Sequence, residues 1–342
     1  MIILKAFKDL ILMKNILSRK LPHSIHVLGG LSHILEGNMF QLKMCVDSWP
    51  TFSTAICYRQ KQVEGRLEIP DVCSIFSNNQ DKLRRLLTDD SLFKWGKNLE
   101  FRVESTHHQI LKEIASLRGL HLKDMYGRLL TYIHYSPETM SRPPKTFKEP
   151  MTSLSECHAE LVLKSMCCGT SKEEINLVKT YIKYLPNYCM VDEKGEPVSW
   201  VLTDEFNEIR LAYTQPEYRR AGHLRGLYYT LIDHMASAGL PIFGCIHEEN
   251  RACQNAVTLP VGQKERIPSV HICYHSEAGS QMSSGIGWKV ICNVESSGFL
   301  KMLTRSDRLS QDGGSSAMPP SKASLLVDWI MDIKDTMHLT LD

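Results

Sequence analysis

Long apolar runs are absent from this chain of 342 residues, and no stretch of about eighteen apolar residues occurs. A spanning helix needs about 20 such residues, so we expect no membrane span. A strong excess of one charge is also lacking, since the formal net charge is only +2. Nucleic-acid binding usually requires a concentrated basic face, so the sequence predicts no nucleic-acid partner.

The eleven cysteines form neither a Cys-x-x-Cys pair nor a zinc-type arrangement with histidine. We therefore expect no metal site, and no phosphate-binding loop of the Walker type is present either. An odd number of scattered cysteines indicates reduced thiols in an intracellular compartment. The hydrophobic fraction of 43% and the charged fraction of 23% are those of a folded globular chain, so disorder is not expected overall.

The stretch from residue 208 to residue 232 carries the strongest pattern in the chain. Residues 209–214 form a short apolar run of the strand type, and Pro216 ends it because proline cannot donate to a ladder. A basic turn around Gly222 follows, and apolar residues then recur at helical spacing. A strand that leads through a basic turn into a helix N-terminus presents backbone N–H groups and a partial positive charge, which predicts an anion site.

The segment Arg219-x-x-Gly222 resembles the pyrophosphate-binding motif of the GCN5-related N-acetyltransferase (GNAT) superfamily, although Leu224 stands where a second small residue is usual. A longer match, over about residues 1–257, resembles the glycine N-acyltransferase family. Its matching segments are residues 37–40, 46–50, 155–162, 195–200, 207–211 and 216–219. A short motif alone recurs by chance, whereas several segments in the same order do not.

The resemblance implies an α+β fold with tandem GNAT-like acyltransferase domains, each a mixed central sheet flanked by helices. The proline-rich residues 136–150 are predicted to be the linker between them. The predicted division is therefore an N-terminal domain over 1–135, which lacks a catalytic motif, and an acyl-CoA-binding catalytic domain over 151–257. Residues 258–342 are a divergent tail.

The function implied is transfer of an acyl group from acyl-coenzyme A to the amine of glycine or glutamine. Acyl-CoA is a co-substrate, no permanently bound cofactor is expected, and the protein is expected to be a monomer. The alternative is a non-catalytic or poorly folded form that at most binds CoA, because the usual closing strands after residue 257 are replaced.

Glu208 matches the position of the proposed catalytic glutamate in this family, and it begins the central strand next to apolar Phe206 and Ile209. A general base needs a pKa near the working pH, which burial provides for a carboxylate. The alternative is a solvated charge at a strand start. A Cys–His nucleophilic pair involving Cys245 or Cys253 is a weaker interpretation, because direct transfer needs no covalent enzyme intermediate.

The cofactor-binding residues follow from the same resemblance. The backbone of the central strand is expected to pair with the pantetheine amides, and the amides of the basic turn are expected to hold the pyrophosphate. The asparagine that opens the next helix is expected to contact the cofactor. The predicted residues are Ala212, Tyr213, Thr214, Arg219, Arg220, Gly222, His223, Leu224, Arg225 and Asn250.

Elsewhere, the patterns predict elements along the whole of the first half and most of the second. Strands are predicted within residues 25–35 (a pair of short ones), 40–46, 53–58, 126–134, 188–192, 197–203 and 241–247; helices are predicted at 82–88, 108–118, 172–184 and 249–257. Trp200 is expected in the core, and His107 and His108 are expected to be solvated.

The two ends of the chain carry separate predictions. Residues 1–20 are basic and amphipathic, which is compatible with a mitochondrial transit peptide but favours the first helix of the fold. The expected location is mitochondrial, with a cytoplasmic or endoplasmic-reticulum-associated location as the alternative. The tail is rich in Gly and Ser, so poor order is expected, and its one good candidate strand spans residues 288–294.

Overall fold

A computed structural model of the protein describes residues 2–59, 71–90, 95, 99–124, 129–134, 147–166, 171–251, 253–254 and 266–275. The helices are α1 (Phe7–Ser18), α2 (Ile25–Leu35), α3 (Gln80–Thr88), α4 (His108–Leu117), α5 (Ala159–Ser165), α6 (Lys172–Tyr184) and α7 (His223–Ser237). The strands are β1 (Ile2–Leu4), β2 (Lys43–Val46), β3 (Thr54–Arg59), β4 (Asp71–Ser77), β5 (Leu99–Glu104), β6 (His121–Asp124), β7 (Leu129–His134), β8 (Met151–Thr152), β9 (Asn187–Val191), β10 (Pro197–Thr203), β11 (Ile209–Thr214), β12 (Ile242–His247) and β13 (Arg266–His275).

The described strands form two sheets. The larger has the order β1-β2-β3-β4-β5-β13-β7-β12, and β6 also pairs with β13. Its pairs are antiparallel except for β4 and β5, which run parallel. The smaller sheet has the order β11-β10-β9-β8 and is antiparallel. This mixed, helix-flanked architecture confirms the predicted α+β class.

The largest hydrophobic cluster draws on both parts of the chain, so the two sheets share a core. Phe40, from the loop before β2, packs on Tyr181 of α6 with ring centroids 5.7 Å apart. Trp200 of β10 is fully buried in the same cluster, as predicted. None of the described helices is long and apolar enough to cross a bilayer.

The prediction of two short strands within residues 25–35 is wrong, because this segment is the single buried helix α2. Apolar runs of this length do not distinguish a strand from a buried helix. Tertiary packing decides the outcome, since Gly29 brings the helix against the backbone of Phe206. A β-carbon at Gly29 would lie 1.7 Å from the Phe206 carbonyl oxygen, and the Asn207 side chain donates to the Gly29 carbonyl at 3.1 Å.

Gly29→Ala is therefore expected to lower the free energy of unfolding by about 3 kcal/mol, since overpacking a tight contact forces the backbone apart. The matched control is Gly37→Ala, where an added β-carbon meets nothing within 4 Å but the φ of +118° disfavours a side chain. We expect the control to cost about 1 kcal/mol. Thermal melting of the two variants checks this, and equal melting temperatures would contradict the close approach.

The predictions for the tail also need correction. Residues 266–275 form β13, which pairs with β5 on one side and with β7 on the other. The tail therefore holds a strand in addition to the one expected over residues 288–294, which lie outside the described residues, so that strand stays a prediction. Replacement of the usual closing strands does not leave β12 at an exposed edge, because β12 pairs with β7 over its full length. The sheet is thus completed by strands distant in sequence.

Most other predicted elements are confirmed, including the helices at 82–88, 108–118 and 172–184 and the strands at 197–203 and 209–214. His107 was expected to be solvated but is buried, and burial lowers the pKa of its imidazole to about 4. Strands β4 and β5 had no counterpart in the predictions. Of the predicted linker 136–150, residues 136–146 lie outside the described residues, and the division into domains stays a prediction.

The N-terminal residues have a clear structural role. Strand β1 pairs with β2 at the edge of the larger sheet. Helix α1 buries Leu10, Met13 and Leu17. The interpretation of residues 1–20 as part of the fold is therefore confirmed, whereas their use in targeting stays a prediction.

Candidate functional site

The turn that precedes β11 is held by the carboxylate of Asp204. Its Oδ1 accepts hydrogen bonds from the backbone N–H of Phe206 at 2.9 Å and of Glu208 at 3.0 Å. The backbone closes the turn as well, because Asp204 N–H donates to the Glu208 carbonyl at 3.1 Å. Asn207, at φ +59°, supplies the left-handed residue that such a turn requires. These contacts fix the position of Glu208.

Buried arginines hold Asp204 from outside the turn. Arg102 of β5 pairs with Asp204 and, at 2.9 Å, with Glu100. Arg210 of β11 approaches Asp204 at 3.4 Å. Loss of one partner from a buried ion pair leaves the other charge buried and uncompensated, which is strongly destabilising. Such a network therefore tolerates little displacement. A strand from the first half of the chain thus anchors the turn that carries Glu208.

Glu205 forms a second buried ion pair in the same turn. Its Oε1 accepts from Arg59 of β3 at 3.1 Å, and the hydroxyl of Tyr181 donates to its other oxygen. Burial acts to raise the pKa of Glu205, but Arg102 and Arg59 outweigh it and lower the pKa to about 2. Glu205 therefore stays ionised at neutral pH and is unsuited to accept a proton there.

Glu208 has the opposite character. It is 1% exposed, and burial raises the pKa of its carboxyl to about 7, with Asp204 acting in the same direction and Arg210 and Arg102 against it. A carboxylate with this pKa exists in both protonation states near neutral pH. It can therefore accept a proton from a bound amine and release it again.

His26 of α2 and Cys245 of β12 lie beside Glu208. One ligand-type atom from each of the three residues lies within 4.8 Å of the others, and zinc accepts imidazole, carboxylate and thiolate ligands. Burial lowers the pKa of His26 to about 3, with the charges of Arg102 and Arg210 adding to the effect. The same two guanidinium groups would repel a dication, so we assign this cluster to proton chemistry.

The Cys245 thiol is not suited to act as a nucleophile. Burial and the neighbouring Glu208 raise its pKa well above the usual value, so the reactive thiolate is not formed at neutral pH. Its Sγ lies 3.3 Å from the hydroxyl oxygen of Thr131 in β7. The thiol is thus a hydrogen-bonding group next to the carboxylate.

Strands β11 and β12 separate directly after this cluster. A single parallel bridge, between Glu208 and Phe243, joins them in the described part of the chain. Beyond it, β11 pairs only with β10, and a register shift opposite the segment after Arg210 marks a β-bulge. Leu211 sits in the bulge at φ +53°. A bulge bends its strand, so β11 turns away from β12 and, among the described strands, keeps a free edge towards its C-terminal end.

The turn between β11 and α7 has the backbone conformation expected of an anion site. Arg220 and Gly222 adopt left-handed φ values of +67° and +84°, and alternation of this kind turns successive N–H groups to one side. Gly222 is the N-cap of α7, and no side chain caps this helix end. The first N–H groups of α7 are therefore available to an anion.

The other predicted cofactor residues lie around this turn. Arg219 is exposed; its Nε donates to the Thr214 carbonyl at 3.1 Å, and its guanidinium lies 5.6 Å from the ring centroid of Tyr213. The Thr214 carbonyl is thus already engaged by the protein. Ala212 lies in the bulge next to Leu211 and is buried.

The first turn of α7 packs against the segment that precedes β8. Glu149 bonds the Nε2 of His223 at 2.8 Å, and the ring of Phe147 fills the space where Gly226 has no side chain. His223 therefore offers an anion its backbone N–H rather than its imidazole. Leu224 and Arg225 are half-buried in the same turn.

Asn250 follows β12 and is buried. Its Oδ1 accepts from the backbone N–H of Cys253 at 3.0 Å, so it caps the next helical turn. Its Nδ2 is buried and has no hydrogen-bond partner among the described residues. A buried amide donor without a hydrogen-bond partner costs free energy. The position of Nδ2 is therefore consistent with a group that donates to a bound ligand.

Sequence reasoning found Glu208 and the basic turn but missed what surrounds Glu208. His26 lay in a segment taken for strands, and Arg102 lay in a strand with no counterpart among the predictions. Asp204, four residues before Glu208, was the one local signal, because an aspartate at a turn often bonds the backbone ahead of it. Cys245 was noticed only as a weak nucleophile candidate.

The chain resembles known proteins over most of its length. Residues 1–186 match the family model described as aralkyl acyl-CoA:amino acid N-acyltransferase, and residues 188–266 match the model for the C-terminal region of that family. The match extends nine residues beyond residue 257, where the resemblance was expected to end. It therefore reaches the first residue of β13.

Individual relatives agree with the family match. Glycine N-acyltransferase of Rattus norvegicus is 27% identical over 271 residues, which cover 73% of this chain and 91% of the rat protein. Glycine N-phenylacetyltransferase of Bos taurus is 26% identical over 266 residues, covering 71% and 88%. The crystal structure of a Drosophila protein superposes with a TM-score of 0.62 at 13% identity, covering 79% of this chain and 98% of that one; this likeness concerns the fold alone.

Proposed function

The chain belongs to the aralkyl acyl-CoA:amino acid N-acyltransferase family, and from this membership we propose that it acylates the amine of glycine, with Glu208 as general base. It is an acyltransferase whose co-substrate is an acyl-CoA and whose acceptor is an amino acid.

The observation that carries the mechanism is the buried carboxylate of Glu208, whose pKa is raised to about 7, at the point where β11 and β12 diverge. Glu205 in the same turn is held ionised by buried arginines. Burial raises the pKa of Asp204 as well, but its oxygens are engaged by two backbone N–H groups and by Arg102. Glu208 is thus the carboxylate of this turn whose proton affinity suits neutral pH.

The proposed reaction is direct transfer. The amine nitrogen attacks the thioester carbonyl carbon and forms the C–N bond, while Glu208 takes a proton from that nitrogen. The tetrahedral intermediate then collapses, the C–S bond breaks, and its electron pair leaves with the sulfur of CoA. Glu208 can return its proton to the departing thiolate, so the carboxylate is regenerated. An activated thioester requires mainly positioning and this proton transfer.

The cofactor is proposed to lie along the free edge of β11. Its pyrophosphate would be held by the N–H groups of the turn from Arg220 to Arg225, and its pantetheine amides would pair with the backbone near Ala212 and Tyr213. The Nδ2 of Asn250 would donate to the same molecule. This orientation directs the thioester along β11 towards Glu208.

Glycine is the preferred acceptor in the proposal because the relatives described above are named as glycine acyltransferases. Glutamine remains the alternative acceptor. Release of CoA from benzoyl-CoA and phenylacetyl-CoA, measured with glycine and with glutamine, tests the proposal. CoA-dependent thermal stabilisation without any turnover would instead favour the non-catalytic form.

Gly222→Glu tests the anion site. The substitution places a carboxylate where the pyrophosphate is proposed to approach the helix N-terminus, and we expect it to reduce CoA affinity at least 100-fold. Isothermal titration with CoA measures this. Charge is separated from bulk by Gly222→Lys, which we expect to bind CoA more tightly than the glutamate variant.

The left-handed backbone needs its own control, because φ is +84° at Gly222 and any side chain there is strained. Gly195, in the β9–β10 hairpin, has the same φ of +84° with nothing near an added β-carbon. Gly195→Glu should match the strain and leave CoA affinity unchanged. Equal CoA affinity in the wild type and Gly222→Glu would show that the turn is not the site.

A mitochondrial location is a separate proposal, based on the basic, amphipathic residues 1–20. Imaging of the chain with a C-terminal fluorescent tag, compared with a variant in which Lys5, Lys8 and Lys14 are replaced by glutamate, tests it. Retention of the mitochondrial signal by the variant would argue against a role for this segment.

A further inference from the structure

A row of hydrogen-bonding side chains runs from Glu208 into the first half of the molecule. The Cys245 side chain is hydrogen-bonded to Glu208. Its Sγ lies 3.3 Å from Thr131 Oγ1, which in turn lies 3.4 Å from His26 Nε2. The three residues come from β12, β7 and α2, and each is buried. The row therefore depends on the packing of three separate elements around one carboxylate.

The direction of these hydrogen bonds follows from chemistry. An ionised carboxylate can only accept, so the Cys245 thiol donates to Glu208. The sulfur is then free to accept from the Thr131 hydroxyl, and in that arrangement the Thr131 oxygen accepts from His26 Nε2 in the tautomer that carries the hydrogen there. His26 is neutral, because burial lowers its pKa to about 3, and one of its ring nitrogens therefore carries the hydrogen. With that hydrogen on Nε2, all donors in the row point towards Glu208.

We propose that Cys245, Thr131 and His26 form a positioning chain that orients the Glu208 carboxylate and sets the pH range in which it accepts the proton of the acceptor amine. The proposal rests on the proposed role of Glu208. Hydrogen bonds arranged in one direction polarise one another, and a donor to the ionised form of an acid favours that form. The positioning chain thus offsets part of the free-energy cost of burying the ionised carboxylate.

The other groups that act on Glu208 are charged and come from neighbouring elements. Arg210 of β11 and Arg102 of β5 favour the ionised carboxylate, whereas Asp204 of the turn opposes it. These three residues are tied to one another by ion pairs. They remain in place when Cys245 is replaced, so a change at Cys245 reports on the positioning chain.

The test is the pH dependence of kcat/KM for the amine acceptor in Cys245→Ala and Cys245→Ser. Alanine removes the donor, so the midpoint of the acid limb should move upward by about half to one pH unit. Serine keeps an O–H donor at the same place, so its midpoint should lie at or below that of the wild type. Thr131→Val, which has nearly the same shape, should shift the midpoint upward by less than alanine at Cys245 does.

A buried cysteine in a distant strand provides the matched control. Cys73 of β4 is also fully buried, and Cys73→Ala should lower the melting temperature without moving the acid limb. A purely structural role for Cys245 would give the same pattern. Coincident midpoints for the wild type and Cys245→Ala, or equal shifts in the alanine and serine variants, would overturn the proposal.

The outcome also separates this inference from the proposed function. If Glu208→Gln retains wild-type turnover, Glu208 is not the general base. The positioning chain of Cys245, Thr131 and His26 then has no role in catalysis. If Glu208→Gln is inactive while Cys245→Ala leaves the acid limb unmoved, only the positioning chain is wrong. If both variants behave as expected, the first half of the molecule takes part in tuning the base through α2 and β7.

Discussion

Glu208→Gln is expected to lower turnover by a factor of about 10² to 10⁴ at pH 7, the range typical for loss of a general base. Glutamine keeps the size of the side chain but cannot accept the amine proton. Affinity for acyl-CoA should be unchanged, because the anion turn lies at the other end of β11. Activity of the variant should recover in part at high pH, where more of the amine is already deprotonated.

The stability of this variant gives an independent check of the buried carboxylate. The pKa of Glu208 is raised from 4.5 to about 7 in the folded protein, so between these values the folded state binds more protons than the unfolded state. Stability therefore falls as pH rises through this window, by on the order of 3 kcal/mol in total. Glutamine cannot ionise, so the variant does not bear the free-energy cost of a buried carboxylate. It should therefore have a higher melting temperature than the wild type at pH 8 and a similar one at pH 4.5.

Glu173→Gln, on the exposed side of α6, is the control for the loss of a carboxylate as such. It should change neither turnover nor the pH dependence of melting. Turnover of Glu208→Gln equal to that of the wild type over the whole pH range would remove Glu208 from the mechanism. A lower melting temperature at pH 8 would contradict its burial as an ionised group.

Removal of residues 266–342 is expected to abolish cooperative folding. Strand β13 lies between β5 and β7, so its loss leaves two unpaired edges within the larger sheet. Unpaired edges of this kind promote association between chains. The free energy lost with these interior strand pairings is comparable to the net free energy of unfolding of a domain, about 5–15 kcal/mol. Sedimentation and far-UV circular dichroism of the purified protein measure the effect.

The matched control is removal of residues 293–342, since the compact unit that contains β13 extends from Met1 to Cys292. This shorter deletion should retain cooperative melting and turnover. A point variant gives a second check: Ile272 lies opposite Phe101 of β5 and Asp124 of β6, and Ile272→Pro removes a backbone donor between them. If the longer deletion melts like the wild type, β13 does not hold the sheet together.

Sequence determined the elements whose signals are local. The strand at 209–214 was predictable because an apolar run ends at a proline, and the helix at 172–184 because its apolar residues recur at helical spacing. Glu208 and the basic turn followed from a family motif, because the chemistry of a CoA site requires those residue types in a fixed order along the chain.

Tertiary structure alone decided which residues surround Glu208. The segment of α2 has no local feature that separates a buried helix from two strands; its close approach to Phe206 makes it a helix. The position of β13 between β5 and β7 depends on pairings more than 130 residues apart in the chain. The pKa of Glu208 likewise results from burial and from charges on Arg102, Arg210 and Asp204. Contacts between residues distant in sequence create this environment, and no periodicity or motif within one segment records them.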